Sequence, residues 1–172
     1  MDIDLEFSFD DYFGTPTIEV LVDSTQLYIG DVVSKLSLHA GLLSDGDHVL
    51  SIRHFGKLMH HTTNEHDRHV HIDRVMFDHT DLDQLIWARL THRGKFYPEY
   101  EPSYAKGKNL PDYIAPNHYL GHNGVWQLHF QAPALLWVIQ EQNPSGMHIP
   151  YLNTKLKLQV IVTLHVLNAQ EI

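Results

Sequence analysis

Apolar residues take every second place along much of this chain, and that rhythm restricts it to sheets. Ile3, Leu5, Phe7 and Phe9 alternate with polar neighbours near one end; Leu156, Leu158, Val160, Val162, Leu164 and Val166 do so near the other. Successive side chains of a strand point to opposite faces, so period-two alternation marks one buried and one solvated face. Sheets solvated on one side are characteristically antiparallel. The expected fold class is all-β: an antiparallel β-sandwich, jelly-roll-like in form. In such a fold, binding groups sit in loops or on an exposed sheet face.

Turn residues divide the pattern into segments. Residues 3–9, 17–22, 26–29, 33–38, 48–55, 68–77, 82–90 and 125–130 read as strands. Within 68–77, alternation puts Val70, Ile72 and Arg74 on one face and His69, His71, Asp73 and Val75 on the other. Ser44-Asp45-Gly46-Asp47 is a turn signal, and 56–67 is a long polar loop. Residues 91–117 carry Pro98, Pro102, Pro111 and Pro116 and read as a long irregular excursion, because proline cannot donate to a sheet ladder. Residues 118–124 read as a turn with two glycines. Pro133 stands where a helix would open, and one short helix is expected near 133–142. The final alternating run, 155–167, is far longer than the usual strand of about five or six residues. The expected organisation is a β-sandwich domain over 1–154 and a long C-terminal strand within 155–172 that extends to a neighbouring subunit.

Charge and composition then exclude whole classes of partner. The formal net charge is −9, against the Lys and Arg surplus that nucleic acid requires. No basic amphipathic run suits an anionic membrane surface, and no apolar run reaches the roughly 18 residues of a membrane span. The first ten residues lack the basic start and apolar core of a signal peptide, so the chain is expected to be made in the cytoplasm. There is no cysteine, which excludes disulfides and thiolate metal sites. Histidines number 15, so mild acid would reverse the sign of the net charge.

The densest chemistry lies between His54 and Asp83. His69 and His71 are two apart on an expected strand, so their rings share a face and could present two imidazoles to a metal. Asp67, His69, His71 and Asp73 are the candidate metal residues. His71-Ile72-Asp73 is also an H-x-D, the start of a two-histidine, one-carboxylate iron site with His122 or His129 as the distal ligand. Asp67, Asp73, Asp78, Asp81, Asp83 and Glu65 could line an oxygen-rich calcium site. No nucleophile motif and no phosphate-binding glycine loop is present. Tyr97, Tyr100, Tyr104, Tyr113 and Tyr119 are the candidate glycan- or partner-binding residues, since each offers a flat apolar face and a hydroxyl. Trp87, Trp126 and Trp137 fall in apolar patterns and are expected in the core.

Two stretches bring in known families. Asp45-Gly46-Asp47-His48-Val49-Leu50-Ser51-Ile52, followed by Asp67-Arg68-His69-Val70-His71-Ile72-Asp73-Arg74-Val75, resembles the half-motif of calcium-dependent xylan-binding modules. Asp67 is the one acidic position whose local motif matches. Tyr119-Leu120-Gly121-His122-Asn123-Gly124-Val125-Trp126-Gln127-Leu128-His129-Phe130 resembles a stretch of uncharacterised virion proteins of tailed phages, cyanophages among them. The resemblance implies a carbohydrate-binding-module-like β-sandwich in a phage particle. The first expected function is therefore a non-catalytic structural or decorating component of a virion, in head or tail, without a cofactor. Its partners would be other virion proteins, itself and a surface glycan. A calcium-dependent glycan-binding module is the alternative, and a metal-dependent oxygenase on a jelly-roll is the second.

Overall fold

A computed structural model describes residues 1–79, 93–134 and 137. These residues lie within one compact unit, Met1–Gln140. The unit is an antiparallel β-sandwich. Its strands are β1 (Asp2–Phe9), β2 (Thr17–Val22), β3 (Thr25–Asp31), β4 (Lys35–His39), β5 (Gly46–Phe55), β6 (Val70–Phe77), β7 (Lys95–Pro98), β8 (Tyr119–Leu120) and β9 (Gly124–Ala132). One sheet runs β4-β1-β6-β8 and the other β3-β2-β5-β9-β7.

Alternation produces the two layers. Ile3, Leu5 and Phe7 of β1 and Val70 and Ile72 of β6 face inward from one sheet. Ile18, Val20 and Val22 of β2, Leu50 and Ile52 of β5, and Trp126, Leu128 and Phe130 of β9 face inward from the other. All belong to one continuous apolar core. Burying each such aliphatic or aromatic side chain contributes about 1.5–3 kcal/mol.

The structure corrects the sequence reading at four places. Val75 does not share a face with His71; it and Phe77 are buried with Val70 and Ile72. The reason is a bulge: Glu6 pairs with Arg74 and Phe7 with Ile72, so Asp73 is the extra residue and the facing of β6 shifts beyond it. Residues 91–117 are not wholly irregular. Lys95–Pro98 pairs with β9 at the edge of its sheet, placing Phe96 opposite Trp126 in the core. Pro98 is tolerated because it closes an edge strand. Pro102–Ala105 forms a single helical turn, α1. Residues 118–124 are not all turn, since Tyr119–Leu120 pairs with Val70 and His71 of β6.

The helix expected near 133–142 is seen in part. Ala134 and Trp137 are helical and buried, and the Trp137 N–H donates to the Pro133 carbonyl at 3.1 Å. The expected strands 82–90 and 155–167, with Trp87, Asp81 and Asp83, lie outside the described residues, as does the rest of that helix.

Candidate functional site

Three segments that follow strand ends meet at one end of the sandwich: the 56–69 loop after β5, the turn between β8 and β9, and the chain after β7. Between them lies a cleft of about 550 Å³.

The 56–69 loop is long and polar but tied throughout. Arg68 donates to the Gly56 carbonyl at 3.0 Å and the Thr15 carbonyl at 2.7 Å. Thr62 and Asp67 form an isolated antiparallel bridge. Asn123 fastens the β8–β9 turn to this loop. Its Oδ1 accepts from the Lys57 N–H at 2.8 Å, and its Nδ2 donates to the Lys57 carbonyl at 2.9 Å. A side-chain amide thus pairs with one residue's backbone as a neighbouring strand would.

Lys57 stands at the centre, its side chain only 9% exposed. Its Nζ donates to Asp67 Oδ1 and, at 2.5 Å, to the Gly121 carbonyl. Asp67 Oδ1 also accepts from Thr62 Oγ1 at 2.5 Å, and Oδ2 accepts from the Tyr119 hydroxyl at 2.7 Å. Burial opposes the charge of Asp67, but the bonds from Lys57, Thr62 and Tyr119 outweigh it and hold the carboxyl below its usual range. Burial and the Asp67 carboxylate both push the Tyr119 phenol upward, so it remains a donor. The Tyr119 ring lies close over Gly121, where a Cβ would come within 2.5 Å of Cε1. A glycine is required there for the ring to take this place.

Behind the turn sits His54, fully buried, with Nδ1 3.0 Å from the His122 carbonyl. Burial lowers its pKa to about 4, so the ring is neutral at pH 7 and the proton belongs on Nδ1, which faces an acceptor. Nε2 has no hydrogen-bond partner among the described residues. The His122 ring lines the cleft, and burial followed by the charge of Lys57 lowers its pKa too. Tyr104 lines the cleft beside it, 5.3 Å from His122 and 6.0 Å from Tyr100 between ring centroids. Lys108 Nζ sits 3.5 Å from the centre of the Tyr104 ring. Glu99, Glu101 and Asn117 supply further polar lining, while Leu58, Met59 and Ile114 give an apolar side.

The structure therefore brings together Tyr104, Tyr119 and Asp67 from the sequence candidates, with Tyr100 stacked behind Tyr104. Tyr97 and Tyr113 pair elsewhere, 5.9 Å apart, with Lys95 over Tyr113. His69 tilts against Tyr119 and points Nδ1 at the Asp67 carbonyl at 2.7 Å. His71 Nδ1 lies 2.6 Å from Asp73 Oδ1, so these two engage each other on β6. Among the described residues, no three His, Cys, Asp or Glu side chains converge to hold a metal ion. Sequence reasoning did not single out Lys57, Asn123, Glu99 or Glu101. The Asn-Gly turn before an alternating strand was a usable signal for Asn123; a lysine in a polar loop carried none.

No protein-family model and no curated protein matches this chain. Among solved structures, it is similar to a calcium-dependent carbohydrate-binding module, the selenomethionine form of vCBM60. The TM-score is 0.46 at 9% identity, over 74% of this chain and 88% of that one.

Proposed function

We propose that this protein is a non-catalytic glycan-binding module that takes a neutral sugar in the cleft around Lys57. The observation that carries this reading is the make-up of the lining: two tyrosine rings, Tyr104 and Tyr119, share one cleft with the carboxylates of Glu99 and Glu101. A pyranose offers an apolar C–H face to a ring and hydroxyls that donate to carboxylates. The acidic lining disfavours phosphorylated or sulfated ligands by like-charge repulsion. The volume falls in the range of small-ligand sites, and its apolar side suits the non-polar face of a sugar.

The stretch Tyr119–Phe130 that resembles phage virion proteins builds one wall of this cleft and most of β9. A virion setting would place the module where it meets a surface glycan; the support for that setting is this sequence stretch alone. The expected contact with a second copy through 155–167 falls outside the described residues.

Calorimetric titration against a panel of soluble neutral polysaccharides tests the proposal. At least one should bind saturably, and Tyr104→Ala should weaken that binding about tenfold or more, the loss of one ring-stacking contact. No binding across the panel, or equal binding by Tyr104→Ala, refutes it.

A further inference from the structure

The oxygens around Asp67 do not fit a calcium ion. Calcium gathers about six to eight oxygen ligands and repels other cations at the same point. Here both carboxylate oxygens of Asp67 already accept hydrogen bonds, from Lys57 and Thr62 on one side and Tyr119 on the other. The Gly121 carbonyl accepts from the same ammonium, and the Asn123 side-chain oxygen is taken by the Lys57 N–H. A cation introduced here would displace these donors and meet a buried positive charge.

We propose that the Lys57 ammonium is the resident cation of this cleft, and that it presents its charge to a ligand oxygen in place of a divalent metal ion. An ammonium has three N–H donors. Two go to Asp67 and Gly121; the third has no partner among the described residues, and Lys57 borders the cleft. A ligand hydroxyl accepts well from such a donor and can donate its own O–H in a hydrogen bond to an acceptor such as Glu99 or Glu101. A phosphate would satisfy the ammonium but meet those two carboxylates. The ligand class is thus a neutral polyol or sugar, bound without metal. For the identity of the ligand the inference rests on the glycan reading; for the identity of the cation it does not.

The test has two arms so that the two failures differ. In the first, wild-type protein stripped with EDTA is titrated with calcium chloride by calorimetry, and its thermal unfolding is followed with and without calcium. No saturable heat and an unchanged Tm are expected. One-to-one binding with a Tm rise of several degrees, abolished by Asp67→Asn, overturns the inference. Calcium binding that survives Asp67→Asn lies elsewhere and upholds it. In the second arm, any polysaccharide that binds is titrated again in EDTA and against Lys57→Met. Affinity should not change in EDTA and should fall at least tenfold in Lys57→Met. Loss of binding in EDTA, or full binding by Lys57→Met, overturns it. If no polysaccharide binds, the glycan reading fails and the calcium arm alone decides the role of Lys57.

Discussion

His48 is clamped between two groups that can only accept. Its Nδ1 lies 2.8 Å from Asp23 Oδ2, and its Nε2 lies 2.8 Å from the Ser44 carbonyl. A neutral imidazole has one N–H and satisfies one of them; the imidazolium satisfies both. The Asp23 bond first, and the Ser44 carbonyl second, raise the His48 pKa above its ordinary 6.5. The bond from His48 in turn holds Asp23 below its ordinary 3.8. A raised histidine gives its full stabilisation below the unfolded value and loses it as pH climbs through the folded one. A depressed aspartate gives its share above the unfolded value and loses it as pH falls through the folded one. The clamp is therefore complete between about pH 3.8 and 6.5 and weakens on the alkaline side.

The perturbation to make is His48→Leu, which keeps apolar contact with Phe130, whose ring centroid is 5.7 Å from that of His48. It deletes two charge-assisted bonds, each worth about 1.5–3 kcal/mol before the partners' resolvation. Asp23 is 49% exposed and recovers water, so its bond counts at the low end. The net loss should be about 1–2 kcal/mol at pH 5.5 and smaller at pH 8.5, where the wild-type clamp is itself weakened. Urea unfolding followed by tryptophan fluorescence at both pH values gives the numbers. With m of about 2 kcal/mol/M, the shift in Cm at pH 5.5 is about 0.5–1 M. Exposed His79, whose pKa is raised by Asp4 and then Asp2, titrates alike in both proteins and cancels. An equal loss at both pH values, or a greater one at pH 8.5, refutes the assignment of a charged His48.

Two further perturbations probe the frame of the cleft. Gly124 has φ +150°, and a Cβ there would stand 2.3 Å from the Tyr97 carbonyl oxygen, so Gly124→Ala should cost about 2–4 kcal/mol by thermal unfolding; a neutral result would mean that β7 does not pair there. Lys57→Met leaves a quarter-exposed Asp67 carboxylate that keeps Thr62 and Tyr119 as donors, so the loss should be about 2–3 kcal/mol, somewhat under the usual figure for a broken buried pair. Combining it with Asp67→Asn should recover about 1–3 kcal/mol of the summed single losses, and strict additivity in that double-mutant cycle would deny the pair.

Where alternation is regular, the strands were legible. β1, β2, β5 and β9 lie within a few residues of the segments read from apolar spacing, because each buries one face along its length. The spacing misleads at Val75, since a bulge residue such as Asp73 resets the facing and depends on the partner strand. Lys95–Pro98 was illegible for another reason: Phe96 is its one fully buried side chain, and one apolar residue makes no period. Of the site, the tyrosines suggested ring faces, and Tyr104 and Tyr119 do line the cleft. The histidine spacing was a weaker guide, because His69 falls in the loop before β6 and not on the strand, and His71 finds its own neighbour Asp73.

A repeat of two is a local property, written into consecutive residues, so the amino-acid order alone decides that this chain forms half-buried strands and no helical bundle. Which strand ends come together is non-local. Lys57 reaches Gly121 across 64 positions and Tyr119 reaches Asp67 across 52, and only the closed sandwich places an ammonium, a carboxylate and two tyrosine rings around one cleft. Charged and polar loop side chains carry no periodicity, and their partners are chosen by the geometry of burial, which exists only after the sheets have packed.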